Sequence, residues 1–430
     1  MKLLVIGGGG REHAVVWKLA QSPRITSMSC APGNAGIGRE KLASNGSSVE
    51  CVGIGAEDIP AILEWSRANS PDLVVVCPDN PLALGIVDQL QAAGFRAWGP
   101  NQKASQFESS KAFSQEFMER HGIPTARSGI FDSVESAKTF ARELNGRCAV
   151  KADGLALGKG VLIGTSMEES DAAVEQIMVN QSFGDAGNQV VIQELLEGIE
   201  VSLHAICDGK TAVLFPTSQD HKRALDNDEG LNTGGMGTYS PAPFLTDEQL
   251  DGIHDSVIKP WLAGCGKEGI DFRGILYPGI MMTADGPKVL EFNARFGDPE
   301  TQVYLPRLEN DLLDLMEACV DGTLDQHEIR WSPKACVCVV MASGGYPEKY
   351  DKGIEITGLD DASAMEGVVV FHAGTKLSDG KVVTNGGRVL GVTAMADDLA
   401  AARDLAYAAV EKIHFDKAHV RSDIAAKAFS

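Results

Sequence analysis

The sequence predicts an α/β fold with a parallel sheet at its N-terminus, and three observations carry that reading. A short apolar strand, Lys2-Leu3-Leu4-Val5-Ile6, runs into Gly7-Gly8-Gly9-Gly10 and then into an amphipathic helical stretch at about 11–21. A second apolar run at 72–77 has the unbroken hydrophobicity of a buried strand and ends at Pro78-Asp79-Asn80-Pro81. Strands then keep alternating with helices, which places ligand loops at the carboxyl ends of the strands.

Taken in order, a strand at about 27–30 and the turn Ala31-Pro32-Gly33-Asn34 belong to a first domain at 1–102. From Ser109-Ser110-Lys111 a helix runs to about His121, where Gly122-Ile123-Pro124 stops it. A helix at 134–144, a strand at 148–151, a glycine loop at 153–160 and a strand at 161–163 follow. A helix at 168–179 leads to a strand at 189–193, and the stretch at 217–241 reads as a long polar loop. Further strands and helices, including a strand at 289–293, extend a central domain over 103–330. The remainder, 331–430, opens with a strand at 335–341, on which Cys336 and Cys338 alternate toward one face as core residues. It continues with a hairpin pairing 368–371 with 382–389 around Ser378-Asp379-Gly380 and closes with a helix at 397–413. No internal repeat or low-complexity linker interrupts the chain, so the domains are expected to pack together.

The length, 430 residues, suits about three domains at roughly 100 to 200 residues each. Lys and Arg number 38 against 59 Asp and Glu, a formal charge of -21. That field disfavours nucleic acid and acidic membrane surfaces, so any anion site must be a focused one. Gly is in excess at 47 residues, as expected where backbone approaches a ligand or takes positive φ. The nine cysteines show neither a CxxC pair nor zinc-type spacing, which fits a reduced interior. No signal-length apolar run follows a basic start, and no stretch approaches the apolar length of a membrane span. The expectation is a cytoplasmic protein with no nucleic-acid or membrane partner.

Four stretches concentrate chemistry. In Gly7-Gly8-Gly9-Gly10-Arg11-Glu12-His13 the sixth position of a dinucleotide fingerprint is Glu12 rather than Gly, and no carboxylate closes the second strand. A nicotinamide-dependent oxidoreductase is therefore the weak alternative, while a plain tight turn or a loop holding a small phosphorylated substrate with Arg11 remain open. Lys151-Ala152-Asp153-Gly154 to Gly158-Lys159-Gly160 is not a Walker motif, because three residues separate its glycines and a strand follows. A glycine turn between strands, flanked by Lys151 and Lys159, suits a flap over triphosphate oxygens; an ordinary glycine-rich hairpin is the other reading. After the next strand, Glu194, Leu196 and Glu200 offer backbone groups to a base and a carboxylate to a ribose. The loop Ser218 to Arg223, followed by Asn232-Thr233-Gly234-Gly235-Met236-Gly237, is locally rich in donors.

The sharpest cluster runs from Glu291 to Glu300. Glu291, Asn293 and Arg295 share a strand face by the two-residue period. An acid and an amide oxygen so spaced suit Mg2+, and Arg295 suits the charge that develops during phosphoryl transfer. A merely ion-paired strand face is the competing reading. The nine histidines form no metal spacing and no G-x-S-x-G is present, so His-centred or Ser-centred hydrolysis has no support.

Several of these segments together resemble a known family. Gly9-Gly10-Arg11-Glu12-His13-Ala14, Ala31 to Gly36, Lys151 to Ala156, Ser218 to Arg223, Asn232 to Tyr239, Arg295 to Thr301, His372-Ala373-Gly374-Thr375 and Asn385-Gly386-Gly387-Arg388 are similar to glycinamide ribonucleotide synthetases, phosphoribosylamine-glycine ligases of the ATP-grasp superfamily. The resemblance covers essentially the whole chain. It implies a Rossmann-like N-terminal domain, a central ATP-grasp domain with a smaller lid at about 123–193, and a C-terminal α+β domain. It implies a carbon-nitrogen ligase of purine biosynthesis that joins glycine to 5-phosphoribosylamine through a glycyl phosphate, using ATP and Mg2+ or Mn2+; another purine-pathway ATP-grasp ligase or carboxylase is the nearest alternative. By the same implication, Lys111, Lys151, Gly154, Gly158 and Gly160 meet the ATP phosphates, Glu194 and Leu196 the adenine, and Glu200 the ribose. Glu291 and Asn293 hold the metal, and Arg295 and Lys151 support transfer. Gly10, Arg11, Asn34, Asp220, Lys222 and Arg223 shape the glycine and phosphoribosylamine sites. The chain departs from the family pattern at Asp79-Asn80, where Glu-Ala is usual, and at Leu231, where Pro is usual. Oligomeric state is left open and is compatible with a monomer.

Overall fold

A computed structural model describes residues 1–155 and 160–429. The N-terminal strands β1 (Lys2–Gly7), β2 (Ser27–Pro32), β3 (Glu50–Cys51), β4 (Leu73–Val76) and β5 (Ala97–Trp98) form one sheet in the order β3-β2-β1-β4-β5. All four pairings are parallel. The strand order reverses between β1 and β4, and ligand loops gather at such a crevice in open α/β sheets. The chain leaves β1 through Gly7, whose φ of +121° and lack of a Cβ are both used: a Cβ there would stand 2.3 Å from the Glu12 side chain. Glu12 instead accepts the Gly9 N–H at 2.6 Å and Arg11 Nε at 2.5 Å, so one carboxylate shapes the loop and aims the arginine.

The helix Lys111–His121 occupies the expected span, capped by Ser110 Oγ and closed by Gly122 in the left-handed conformation. Beyond it, β6 (Ser128–Phe131), β7 (Cys148–Ala152), β8 (Val161–Gly164) and β9 (Val190–Glu194) make an antiparallel sheet in the order β6-β9-β7-β8. The helices Val134–Glu143 and Met167–Val174 cover one face. Alternation along β7 sends Cys148, Val150 and Ala152 into that small core and leaves Lys151 on the opposite face.

The next stretch supplies β10 (Ile199–Ser202), β11 (Ala205–Asp208), β12 (Ala212–Leu214), β13 (Gln219–Asp220), β14 (Arg223–Leu225), β15 (Glu229–Asn232), β16 (Gly237–Ser240), β17 (Arg273–Thr283) and β18 (Gly286–Asn293). β10, β17, β11 and β12 lie side by side, with β18 also on β17. The polar stretch at 217–241 is thus not a loop: it contains four short strands. Two of them, β13 and β16, join a sheet with β19 (Ala335–Ser343), β20 (Val368–His372) and β23 (Arg388–Ala396) in the order β13-β16-β19-β23-β20. Cys336 and Cys338 are buried on β19, as their alternation predicts.

The expected C-terminal hairpin is corrected. β21 (Thr375–Ser378) pairs with β22 (Lys381–Thr384) around Asp379-Gly380, while β20 pairs with β23. The reason is a second reversal at Asn385-Gly386-Gly387, where Asn385 N–H donates to Gly374 O at 2.7 Å and separates β22 from β23. One hydrophobic core runs from Val5, Val15 and Leu19 through Leu305 and Leu312 to Phe371, joining the N-terminal sheet to the central and C-terminal ones, while the β6-β9-β7-β8 sheet keeps a core of its own around Val150 and Ile192. Among the described residues no helix is long and apolar enough to cross a membrane.

Candidate active site

A cleft of about 930 Å³ opens where the N-terminal sheet, the β6-β9-β7-β8 sheet, the β10–β18 region and the C-terminal sheet meet. Its size suits a nucleotide with small substrates beside it. Of the residues singled out from the sequence, Arg11, Lys111, Lys151, Gly154, Gly160, Glu194, Leu196, Glu200, Asp220, Lys222, Arg223, Glu291, Asn293 and Arg295 all line it. Gly158 and Lys159 lie outside the described residues.

Lys151 is held by donation of its ammonium to Leu290 O at 2.7 Å, and Lys111 by donation to Gly154 O at 3.0 Å. Asp153 fixes the start of this flap by accepting the Ala112 N–H at 3.1 Å, which also serves an orphan donor of the helix Lys111–His121. Burial pulls the Lys151 ammonium down to about 8; Glu291 opposes the fall, and Lys111 and Lys222 add to it. Burial raises the Glu291 carboxyl, but Lys151, Lys222, Lys111 and Arg295 outweigh burial and hold it below the usual range. The site is thus a half-buried carboxylate ringed by cations, each favouring the charge of the other.

On β18 the core takes Phe292, and Glu291 and Asn293 flank it toward the cleft. Asn293 Oδ1 is approached at 3.4 Å by Arg295, whose other contacts are Glu108 at 2.9 Å and Phe296 O at 3.1 Å. Among the described residues the buried Nε of Arg295 has no hydrogen-bond partner. One carboxylate and one amide oxygen are hard donors suited to a cation that takes its other ligands from phosphate and water. Among the described residues no cluster of three or more His, Cys, Asp or Glu offers a protein-only cage.

The opposite wall comes from distant parts of the chain. Arg388 reaches from β23 to Gly234 O at 2.6 Å, Asp298 O at 2.7 Å and the Asp298 carboxylate at 3.2 Å. Burial opposes the charge of Arg388, yet Asp298 and its neighbours raise the pKa above the ordinary arginine value. Glu300 accepts the Tyr277 hydroxyl at 2.7 Å. Burial, then Glu300, push the Asp220 carboxyl well above its usual range. Lys222 forms a 2.5 Å ion pair with Glu200, both side chains more than a third exposed.

Gly10 and Asn34 stand outside the cleft lining. Gly10 opens the helix Gly10–Ala20 against Gln302. The Asn34 amide spends both donors on Gly8 O at 2.9 Å and His372 O at 2.8 Å, tying the glycine loop to the C-terminal sheet. Asp79, Glu108, Asp298, Glu300 and Arg388 were not singled out as site residues, although they face the cleft. Arg388 and Asp298 sit in segments that carry the family resemblance; Glu108 has no sequence signal and arrives because its helix, Gln102–Ser109, lets it accept the Ala294 N–H at 2.9 Å.

Comparison with known proteins agrees along the whole chain. Models of the N domain, the ATP-grasp (A) domain and the C domain of phosphoribosylglycinamide synthetase match residues 1–108, 109–301 and 336–427. The chain is 50% identical to the chicken (Gallus gallus) trifunctional purine biosynthetic protein adenosine-3, all of this chain aligning with 42% of that protein. It is 45% identical to the phosphoribosylamine-glycine ligase of Caldanaerobacter subterraneus subsp. tengcongensis, covering 99% of this chain and 100% of the relative. The crystal structure of the Thermotoga maritima phosphoribosylamine-glycine ligase superimposes with a TM-score of 0.83 at 33% identity, over 99% of this chain and 100% of that one. With its N-terminal, central and C-terminal parts each matched and a lysine- and arginine-lined cleft at its centre, the chain belongs to the phosphoribosylglycinamide synthetase family.

Proposed function

We infer that the chain is an ATP-dependent ligase of purine biosynthesis that joins glycine to 5-phosphoribosylamine, yielding glycinamide ribonucleotide, ADP and phosphate. The single observation that carries the reading is the meeting of two arrays in one cleft: Lys111, Lys151, Glu291, Asn293 and Arg295 in one, and Arg11, Asp220, Lys222 and Arg223 in the other. The first suits a triphosphate with its cation, the second a phosphorylated acceptor.

A glycine carboxylate is a poor electrophile until one oxygen carries phosphate. In the proposed sequence that oxygen attacks the γ-phosphorus, ADP leaves, and the amine of phosphoribosylamine attacks the carbonyl carbon of glycyl phosphate. The carbon-phosphate oxygen bond breaks, and the departing phosphate takes the amine proton, so the atoms balance. Lys151 and Lys111 hold phosphate oxygens and Arg295 faces the charge that builds up in transfer. Glu194 and Leu196 take the adenine and Glu200 the ribose. Glu291 and Asn293 would hold Mg2+ or Mn2+, which would supply positive charge against the phosphates. Arg11, Asp220, Lys222 and Arg223 bind acceptor and glycine, while Gly10 and Asn34 support that wall from behind. Gly154 and Gly160 offer backbone groups to the ATP phosphates. The units proposed for these tasks remain 1–102, 103–330 and 331–430. All nine cysteines are free thiols, which supports placement in the cytoplasm.

The test is product formation by the purified protein. ADP release must require both glycine and phosphoribosylamine and must yield glycinamide ribonucleotide by mass. Release that needs bicarbonate and ignores glycine would sink the reading in favour of a carboxylase.

A further inference from the structure

Among the described residues the β14–β15 hairpin pairs with no third strand, yet Arg223, Asp228 and Asn232 on it face the cleft. Two strands alone are marginal in water. Apolar burial does not hold this pair, since Leu225 and Leu231 are 47% and 53% exposed. Its base is tied by Thr233, whose N–H and hydroxyl donate to Lys222 O at 2.7 and 3.0 Å.

Its outer part is tied by the end of the chain. Arg421 is fully buried and donates Nη1 to Arg223 O at 3.0 Å and to Asp228 at 3.1 Å. Nε and Nη2 of the same fork reach the two oxygens of Asp423 at 2.8 and 2.7 Å. Asp423 accepts the Asn227 N–H at 2.9 Å, Ser422 N–H donates to Asp226 at 2.8 Å, and His419 Nε2 donates to Ala224 O at 2.7 Å. Lys427, also facing the cleft, pairs with Asp228. The clamp is itself anchored, because the Tyr407 hydroxyl donates to Arg421 O at 2.7 Å and accepts the Ile424 N–H at 3.0 Å.

We propose that Arg421 is a positioning residue for the acceptor half of the site, and that residues 419–427 clamp the hairpin so that Arg223 and Asn232 meet phosphoribosylamine. The assignment rests on the ligase reading above. The clamp acts on the acceptor rather than on ATP for a structural reason. The Thr233 N–H and hydroxyl, both donating to Lys222 O, fix the base of the hairpin without it, whereas past β15 the chain enters the wall built by Gly234, Arg388 and Asp298.

Arg421→Lys keeps the charge and loses the fork. Asp226→Ala removes the two bonds from Ser422 without leaving a buried charge unpaired, and so keeps the test valid if the first variant fails to fold. Steady-state kinetics with each substrate varied should show KM for phosphoribosylamine up about tenfold in Arg421→Lys and about threefold in Asp226→Ala, with KM for ATP and kcat within about threefold. Hydrogen exchange over 223–232 should quicken in both. An unchanged acceptor KM in folded variants, or an equal rise in the ATP KM, overturns the proposal. If the unaltered protein makes no glycinamide ribonucleotide, the ligase reading fails separately, and exchange over 223–232 alone decides whether the clamp exists: faster exchange supports it, unchanged exchange removes it.

Discussion

Replacing Lys151 with Met separates what this residue costs the fold from what it gives the reaction. Lys151 is 5% exposed, and its ammonium sits at about 8 instead of 10.5. At about 1.4 kcal/mol per pKa unit, that displacement corresponds to about 3 kcal/mol of stability lost at neutral pH. The sign follows from proton binding. The folded value lies below the unfolded one, so between about 8 and 10.5 the unfolded chain holds the extra proton and stability rises with pH. The penalty is complete below about 8 and fades toward 10.5. Met fills similar space without the charge, but forfeits the bond to Leu290 O, worth about 1 kcal/mol. The variant should therefore be more stable than its parent by about 2 kcal/mol near pH 7, with the advantage shrinking by about pH 9.5. Its kcat/KM for ATP should fall by about 10² to 10³ through loss of a charged phosphate donor. The parent's kcat/KM for ATP should decline on the alkaline side through about 8 as the free enzyme loses that charge, a limb the variant lacks. Urea unfolding at both pH values and coupled measurement of ADP release are the assays. A Met variant less stable than its parent at pH 7, or a parental profile flat from pH 7 to 10, refutes the reasoning.

Other outcomes follow from neighbouring residues. Glu291→Gln keeps the shape and removes the charge that three lysines hold ionised; turnover should drop at least about a hundredfold and the metal concentration for half-maximal rate should rise. Metal titration that gives the parental midpoint would remove Glu291 from that role. Arg295→Lys loses the planar fork between Glu108 and Phe296 O, so kcat should fall about ten- to a hundredfold with little change in KM for ATP. In Gly8→Ala the new methyl would stand 2.5 Å from Gly33 O, a backbone atom, and unfolding should show a loss of about 1 to 3 kcal/mol. Gly55→Ala, with nothing within 4 Å of its Cβ, is the control and should stay within about 0.5 kcal/mol.

The parts of the fold legible in the sequence are those whose cause is local. The strands β1 and β4 are short apolar runs bounded by Gly or Pro, and the helix Lys111–His121 carries its own cap and stop. The 217–241 stretch was not legible because its strands have two to four residues, too few for a period to show. β16 is a strand because β19, about a hundred residues later, lies beside it. The C-terminal hairpin failed for the same kind of reason: several β-rich segments are in reach, and the second reversal at Asn385 decides which pair.

Charge in the cleft was legible in kind but not in arrangement. An acidic chain with a phosphate site suggests a cleft where cations prevail. Among the described lining residues, however, eight Lys and Arg face nine Asp and Glu. A sequence counts charges one at a time, whereas the cleft works by the difference between cations already committed and cations left to a ligand. Arg388 is committed, half-buried against Asp298 and three backbone carbonyls. Lys222 is only lent: its pair with Glu200 is open to water on both sides, so screening makes the pair weak and a phosphate can take its place at little cost. Lys151 forms no ion pair among the described residues and keeps a depressed pKa although Glu291 opposes the fall, so an arriving triphosphate completes a compensation that the fold makes only in part. The ligand then relieves the penalty that burial imposed, and binding is strongest where folding is least comfortable.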